Sequence, residues 1–550
     1  MKSTVQQVPL TVGRLLHHAV TTHPSARVLT STGNGARSRT FEQVGRRCAQ
    51  LAHTLRGLGI DSDQRVGTFM WNNAEHVEAY LTVPAMGAVL HTVNIRLSEA
   101  QLAFVMSHAE DRVLIVDESL VDRLLPVAGR LPTLEHVVVT GTDPSAEIAR
   151  LDGFGFLVHG YENLLAERNS EFEWPVPDEN DGAAMCYTSG TTGDPKGVVY
   201  SHRSIYLHSM ACTMGDSLGI TTADRVMPVV PMFHANAWGL PYASVLVGAG
   251  LVLPDRFMKP AELVGLIEEA RPTVTAAVPT IWSDALGHIR AHGGDLSSLR
   301  LILGGGAPVP VSLQQEMAEV AGVLMLQAWG MTETSPTALV GWPPVPESDP
   351  AFWSFRAKQG RLLSSVEARI VSDDGHAQPR DGTSVGELEV RGPYVTAGYY
   401  HVEKSDVLHD GWLRTGDVGT IDQFGFVGLT DRSKDIIKSG GEWISSVELE
   451  SAVVSHRAVR EVAVIGIPDA RWQERPLAMV ALHPGSEATV GELQEHLSDL
   501  VAKWQIPDSW VFVDAVPKTS VGKFDKKRIR KMHRDRELVV RHSGETSAHV

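Results

Sequence analysis

A chain of 550 residues with 43% hydrophobic and 21% charged residues is globular, and it is longer than one ordinary core, so two or more domains are expected. The formal net charge of −16 argues against general binding to nucleic acid or to anionic membranes. The longest apolar run, residues 243–253, is too short to span a bilayer, and the three cysteines (Cys48, Cys186, Cys212) share no metal or redox spacing. Met1-Lys2-Ser3-Thr4 leads into no secretory apolar stretch. These readings predict a cytoplasmic protein in a reducing compartment, with no integral membrane segment and no nucleic-acid partner.

In chain order, Thr40-Phe41-Glu42-Gln43 fits a capping box, and Val44, Cys48, Leu51, Ala52 and Leu55 follow at helical spacing until Gly59. Residues 66–70 read as a strand and 75–86 as a helix, with short β-branched strands at 113–116 and 137–139. Strand and helix signals alternate to about Leu303, which predicts parallel α/β layers. A dense charged run, Asp431-Arg432-Ser433-Lys434-Asp435, interrupts apolar sequence, and a cap at Ser445 to Glu448 and a strand at 462–465 follow. The expected division is 1–430 and a small α/β domain over 431–550.

One stretch carries the strongest chemical signal: Tyr187-Thr188-Ser189-Gly190-Thr191-Thr192-Gly193-Asp194-Pro195-Lys196-Gly197. Glycines let backbone N–H groups approach an anion, hydroxyls add donors, and a lysine adds a point charge. Apolar residues flank it on both sides, so it reads as a phosphate-holding loop between strands. The P-loop of nucleotide hydrolases is excluded, because Gly193 lies three residues before Lys196 and Gly197 follows it.

Further motifs follow in order. They are Leu303-Gly304-Gly305-Gly306, Gln327-Ala328-Trp329-Gly330-Met331-Thr332-Glu333, Arg414-Thr415-Gly416-Asp417, Lys438-Ser439-Gly440-Gly441-Glu442-Trp443-Ile444 and Pro517-Lys518-Thr519-Ser520-Val521-Gly522-Lys523. With the 187–197 loop, this series resembles the adenylate-forming superfamily of acyl-CoA synthetases, luciferases and peptide-synthetase adenylation domains. Phe233-His234-Ala235-Asn236-Ala237-Trp238 looks most similar to bacterial medium- and long-chain fatty acyl-CoA synthetases. Trp329 and Pro336 also occur in the related 3-methylmercaptopropionate-CoA ligases, and the family often has Tyr where this chain has Trp329.

The resemblance implies a large N-terminal adenylate-forming domain and a small mobile C-terminal α/β domain pivoting at Asp431. It implies an AMP-forming acid–thiol ligase that takes a carboxylic acid, ATP and coenzyme A, with Mg²⁺. Thr188, Ser189, Gly190, Thr191, Thr192, Gly193 and Lys196 would hold phosphates. Gly305, Gln327, Ala328, Trp329 and Thr332 would surround the base, Asp417 the ribose, and Glu333 with Thr188 the metal. Arg432, Lys434, Lys438 and Trp443 would complete the nucleotide site. Lys523, Lys196 and His234 would act on the reacting groups, with Trp238 gating the acyl chain. A medium- or long-chain fatty acid is the first expectation and a short thioether acid the second. An acyl-AMP ligase loading a carrier protein, a luciferase-like oxygenase, a non-catalytic binder and a homodimer stay open.

Two other patterns carry less. Gly215-Asp216-Ser217-Leu218-Gly219 matches the hydrolase Gly-x-Ser-x-Gly, but a helix is expected before it, with Gly219 at the helix end. The basic tail (Lys526, Lys527, Arg528, Arg530, Lys531, Arg534, Arg536) has no interleaved aromatics and reads as a solvated helix face.

Overall fold

The computed structural model describes residues 1–188, 194–403, 407–432, 434–439, 442–498, 500–519 and 522–542. Thr40 begins the helix Phe41–Gly57 as expected: its hydroxyl accepts from Gln43 N, and the Gln43 side chain accepts from Thr40 N. Val44, Cys48, Leu51, Ala52 and Leu55 all turn inward, packing on the helices Val12–Thr22 and Ala74–Ala85. Each large apolar side chain buried in this way contributes about 1.5–3 kcal/mol.

The first sheet runs in the order Leu157–Gly160, His136–Thr140, Asp111–Asp117, Arg65–Phe69, Val89–Thr92, Gly182–Tyr187, Gly197–Ser201. All its pairings are parallel except the last. The two strands flanking the phosphate loop are therefore an antiparallel pair at the sheet edge, and residues 189–193 lie outside the described residues. The second sheet is parallel through Met325–Gly330, Leu301–Gly304, Val274–Ala277, Arg225–Pro228, Gly250–Leu253 and Arg27–Ser31. The apolar run 243–253 resolves into the end of the helix Leu240–Val247 and the strand Gly250–Leu253. Gly248 turns the chain between them at φ +75°, where a Cβ would collide with the His23 ring.

The strand Met325–Gly330 belongs to two sheets. Met325 to Gln327 pair in parallel with Leu301–Gly304, whereas Ala328 to Gly330 pair antiparallel with Thr337–Val340. Beyond it an antiparallel sheet continues through Gly360–Leu362, Phe426–Arg432, Trp412–Ile421, Gly386–Arg391 and Glu367–Val371. The aromatic motif thus sits where a strand is handed from one sheet to the other.

A separate C-terminal sheet holds Glu442–Ile444, Ile437–Ser439, Gln473–Leu482, Ser509–Phe512, Arg541–His542 and Val459–Asp469. It has its own apolar clusters, centred on Ile437, Leu449, Leu493 and Trp510 and on Ile465, Met479 and Ile529. The molecule is mixed α/β, with a large N-terminal part and a smaller C-terminal one. Asp431 lies on the last strand of the larger part, paired with Val418, and its carboxylate accepts from Ser446 N and Ser446 Oγ at the start of the helix Ser446–Val454.

Two expectations need correction. The helix His202–Thr213 does precede the Gly-x-Ser-x-Gly pattern, so no nucleophile elbow forms, but it ends at Met214. Gly219, at φ +55°, sits in the turn beyond, its N–H donating to Met214 O. The basic helix Lys526–Arg534 is not wholly a solvated face: Lys526 turns inward to Glu450 at 2.8 Å and Arg530 to Asp435 at 2.8 Å.

Candidate active site

One cavity of about 980 Å³ lies where the two large sheets and the C-terminal part meet. Thr188, Lys196, His234, Trp238, Gly305, Ala328, Trp329, Thr332, Glu333, Arg432, Lys434 and Lys523 all line it. Residues expected from six separate stretches are thus brought together.

The edges of the phosphate loop are pinned by the strand pair. Thr188 N donates to Lys196 O at 2.9 Å, and Lys196 N donates to Thr188 Oγ1 at 3.1 Å. The Lys196 ammonium lies 4.7 Å from the centre of the Tyr399 ring, a cation–π distance. Tyr399 in turn donates its hydroxyl to Glu333 Oε1 at 2.8 Å. Its segment is stitched to both motifs, because Tyr400 N donates to Gly197 O and Thr396 N donates to Glu333 O, each at 2.8 Å. Burial, and then the Glu333 carboxylate, hold the Tyr399 phenol well above its usual range, so it stays a donor. Sequence reasoning missed Tyr399, and also Phe104 and His108 on the cavity wall, because no spacing marks them.

Trp329 is half-buried on the wall, and its indole N–H donates to Asp417 Oδ2 at 2.7 Å. Arg432 Nε lies 3.2 Å from Asp417 Oδ1. Asp417 is nearly buried just behind the lining, on the strand Trp412–Ile421, where Glu387 of the neighbouring strand accepts from Gly416 N and from Arg414. Gln327 is also behind the lining: its side-chain Oε1 accepts from Val309 N, which steadies the strand end, while its Nε2 is buried without a partner. Lys438 does not line the cavity. It is exposed on the strand Ile437–Ser439. Gly440, Gly441 and the Trp443 side chain lie outside the described residues.

Trp238 ends a left-handed turn. Ala235, Asn236, Ala237 and Trp238 have φ of 42°, 51°, 50° and 56°, before Gly239 at 74°. L-residues in this region cost roughly 1–2 kcal/mol each. The turn is held from within by Ala237 N to His234 O and Gly239 N to Asn236 O, and from outside by Cys186 Sγ and Thr92 Oγ1 donating to Asn236 Oδ1. It sets the Trp238 ring against the glycine turn, where a Cβ on Gly305 would lie 3.2 Å from the indole. Gly239 leaves no room for a side chain because His208 abuts it. His208 is fully buried and accepts from Thr337 N at 3.1 Å.

Lys523 enters from the C-terminal part, its side chain passing Gly306, where a Cβ would lie 3.5 Å from Lys523 Cε. Burial first, and then the Arg432 guanidinium, push its ammonium down to about 8, while Asp417 and Glu333 oppose the shift. It is therefore charged at neutral pH. His234 is pushed down to about 3, by burial and then by Lys523 and Arg96, so its ring is neutral.

Magnesium fits this donor set. The cation prefers hard oxygen ligands and keeps waters and substrate phosphates rather than an all-protein cage. Glu333 presents a carboxylate to the cavity, Thr188 brings a hydroxyl, and among the described residues no cluster of three or more His, Cys, Asp or Glu offers a denser site. No helix among the described residues is long and apolar enough to cross a membrane.

Comparison with known proteins agrees with this geometry. Residues 16–400 match the model of the AMP-binding enzyme family, and residues 448–523 match that of the AMP-binding enzyme C-terminal domain. The chain is 40% identical over 530 residues to a medium-chain-fatty-acid–CoA ligase of Ectopseudomonas oleovorans, covering 96% of each. It is 41% identical over 531 residues to a 3-methylmercaptopropionyl-CoA ligase of Ruegeria pomeroyi, covering 96% of this chain and 98% of that one. Among solved structures, the anthranilate CoA ligase AuaEII in complex with anthranoyl-AMP superposes with a TM-score of 0.87 at 27% identity, covering 98% of this chain and 100% of that one. Thr188 and Lys196, an aromatic-to-aspartate contact and an inserted C-terminal lysine around one cavity, together with family matches along most of the chain, lead to one conclusion: the chain belongs to the AMP-binding enzyme family of adenylate-forming enzymes.

Proposed function

We propose that this protein is an AMP-forming carboxylate–coenzyme A ligase acting on an aliphatic acid. The observation that carries the reading is the position of Lys523, charged and inside the same cavity as Lys196, Glu333 and Arg432. In the first step a carboxylate oxygen bonds to the α-phosphorus of ATP and the bond to pyrophosphate breaks. The carboxylate is already a nucleophile, so the residues need supply only position and charge. Lys523 and Lys196 attract the crowded anionic oxygens, Asp417 accepts from the ribose, and the Trp329 face meets the base. Glu333 with Thr188 would hold magnesium, which would supply charge neutralisation at the phosphates. Neutral His234 beside Lys523 adds no charge of its own, and its ring can donate to the acid's carboxylate or border the thiol's path. In the second step the thiol sulfur bonds to the acyl carbon, the bond to AMP breaks, and the thiol proton passes to solvent.

The two steps need different surroundings, and we assign the change to rotation of residues 431–550 about Asp431, which would withdraw Lys523 and present Lys438 and Trp443. The named relatives divide between fatty acids and a short thioether acid. A medium- or long-chain fatty acid requires Trp238 to swing away from Gly305. The shorter acid is favoured by one observation: the Trp238 ring lies against the glycine turn, a Cβ on Gly305 falling 3.2 Å from it, while His208 abuts the next residue, Gly239. A panel from acetate to stearate plus 3-methylthiopropionate, scored by AMP release with coenzyme A, tests the proposal. AMP release with at least one acid is expected. No release with any acid, or release only with a carrier protein in place of coenzyme A, overturns it.

A further inference from the structure

The aromatic motif gives Trp329 a flat face for a base, but the indole also has a donor, and the structure shows where it goes. Its N–H donates to Asp417 Oδ2 at 2.7 Å. The strands bearing the two residues, Met325–Gly330 and Trp412–Ile421, are not neighbours; three others separate them in the sheet order. Ladder pairing therefore does not bring the two side chains together. The opposite oxygen, Oδ1, faces Arg432 Nε at 3.2 Å, and the Asp417 backbone N–H is taken by Thr415 Oγ1 at 3.1 Å. The terminal torsion of an aspartate is broad and two-fold, so a free carboxylate turns easily. With the indole donating to one oxygen and the Arg432 guanidinium ion-paired to the other, this one is restrained. Tryptophan has a donor and no acceptor, and a carboxylate has about four acceptor positions. The indole thus fixes the Asp417 plane and still leaves lone pairs for other donors.

Resting on the ATP-dependent reading above, we propose that Trp329 is a positioning residue whose N–H orients Asp417, so that the enzyme discriminates a nucleotide bearing both ribose hydroxyls from a deoxynucleotide. The ring face meets the base, and the ring nitrogen governs the reading of the sugar. A phenylalanine would keep the first role and lose the second.

The test compares kcat/KM for pyrophosphate release with ATP and with 2′-deoxy-ATP in the unaltered enzyme, Trp329→Phe and Trp329→His. Loss of a hydrogen bond to a charged acceptor costs about 10-fold or more. Trp329→Phe is therefore expected to lower the ATP value by about that factor and the 2′-deoxy-ATP value by less. The preference for ATP shrinks, and Trp329→His, which keeps an aromatic ring and a ring N–H, recovers part of it. An equal fall with both nucleotides overturns the proposal, since loss of stacking or packing acts on both alike. Should Trp329→Phe not fold, Trp329→Tyr is measured in the same way: its donor sits at the ring tip, so the same narrowing is expected, and an unchanged preference overturns the proposal. If the unaltered enzyme releases pyrophosphate with neither nucleotide and any acid, the ligase reading itself fails and takes this inference with it.

Discussion

Lys523 and Lys438 belong to the same C-terminal part and stand in opposite surroundings. Lys523 reaches into the cavity past Gly306, where burial and Arg432 hold its ammonium near 8. Lys438 is exposed on a hairpin strand, paired across to Trp443, with its backbone N–H on Glu474. A cation placed among other cations in a half-buried cavity is unfavourable unless anions arrive, and Asp417 and Glu333 oppose the cost only in part. The arrangement therefore fits a charged substrate such as a triphosphate with a carboxylate, which is the need of the first half-reaction. The face bearing Lys438 carries no such cost and is held in reserve, on the rotation proposed above.

The sharpest break of this comparison is to remove each lysine in turn. Lys523→Ala is expected to slow pyrophosphate release by ~10²–10³, the usual loss for one preorganised donor to developing charge. Lys438→Ala should change the same step by no more than about twofold, as exposed substitutions do. Next in size is Glu333→Gln, which keeps the shape and removes the charge. Pyrophosphate release should fall about 10–100-fold, and a magnesium titration of ATP binding should shift to higher concentration. Unchanged binding at low magnesium would remove Glu333 from the metal site.

Much of this site was legible because its chemistry lies on short continuous stretches: Thr188 with Lys196, Trp329 with Glu333, and Arg414 to Asp417. What joins those stretches was not. Tyr399 links Lys196 to Glu333, yet in the sequence it is one tyrosine of a Gly-Tyr-Tyr run, and only the backbone bonds from Thr396 and Tyr400 give it that place. The left-handed turn at Ala235 to Trp238 was equally hidden, since no glycine marks it before Gly239 and its support comes from Cys186 and Thr92 in other strands. In the fold, the local elements and the parallel layering were readable, but the pairing of Arg27–Ser31 with Gly250–Leu253 joins residues over two hundred apart, and no local pattern encodes it. Lys526 and Arg530 look solvated in the sequence because their partners, Glu450 and Asp435, are remote in it.

Two smaller effects sharpen the picture. The kcat/KM of the adenylating step reports groups of the free enzyme. With Lys523 near 8, the charged form dominates below that pH, so the rate should be level below it and fall as pH rises through it. A level profile to pH 10 would mean that the ammonium is not needed. Trp238→Ala should redistribute kcat/KM among acids of different length while leaving KM for ATP within about twofold. An unchanged acid profile with weakened ATP binding would deny Trp238 its place beside the acyl chain.

The central claim is that Lys523 serves one half-reaction and not the other. Lys523→Ala, shown to be folded, is given preformed acyl-adenylate and coenzyme A, and single-turnover thioester formation is timed against the unaltered enzyme. The account predicts a rate within about twofold of the unaltered one, since the lysine has turned away from the reacting atoms. A loss equal to that in pyrophosphate release would show that one arrangement of the C-terminal part serves both steps, and would contradict the account.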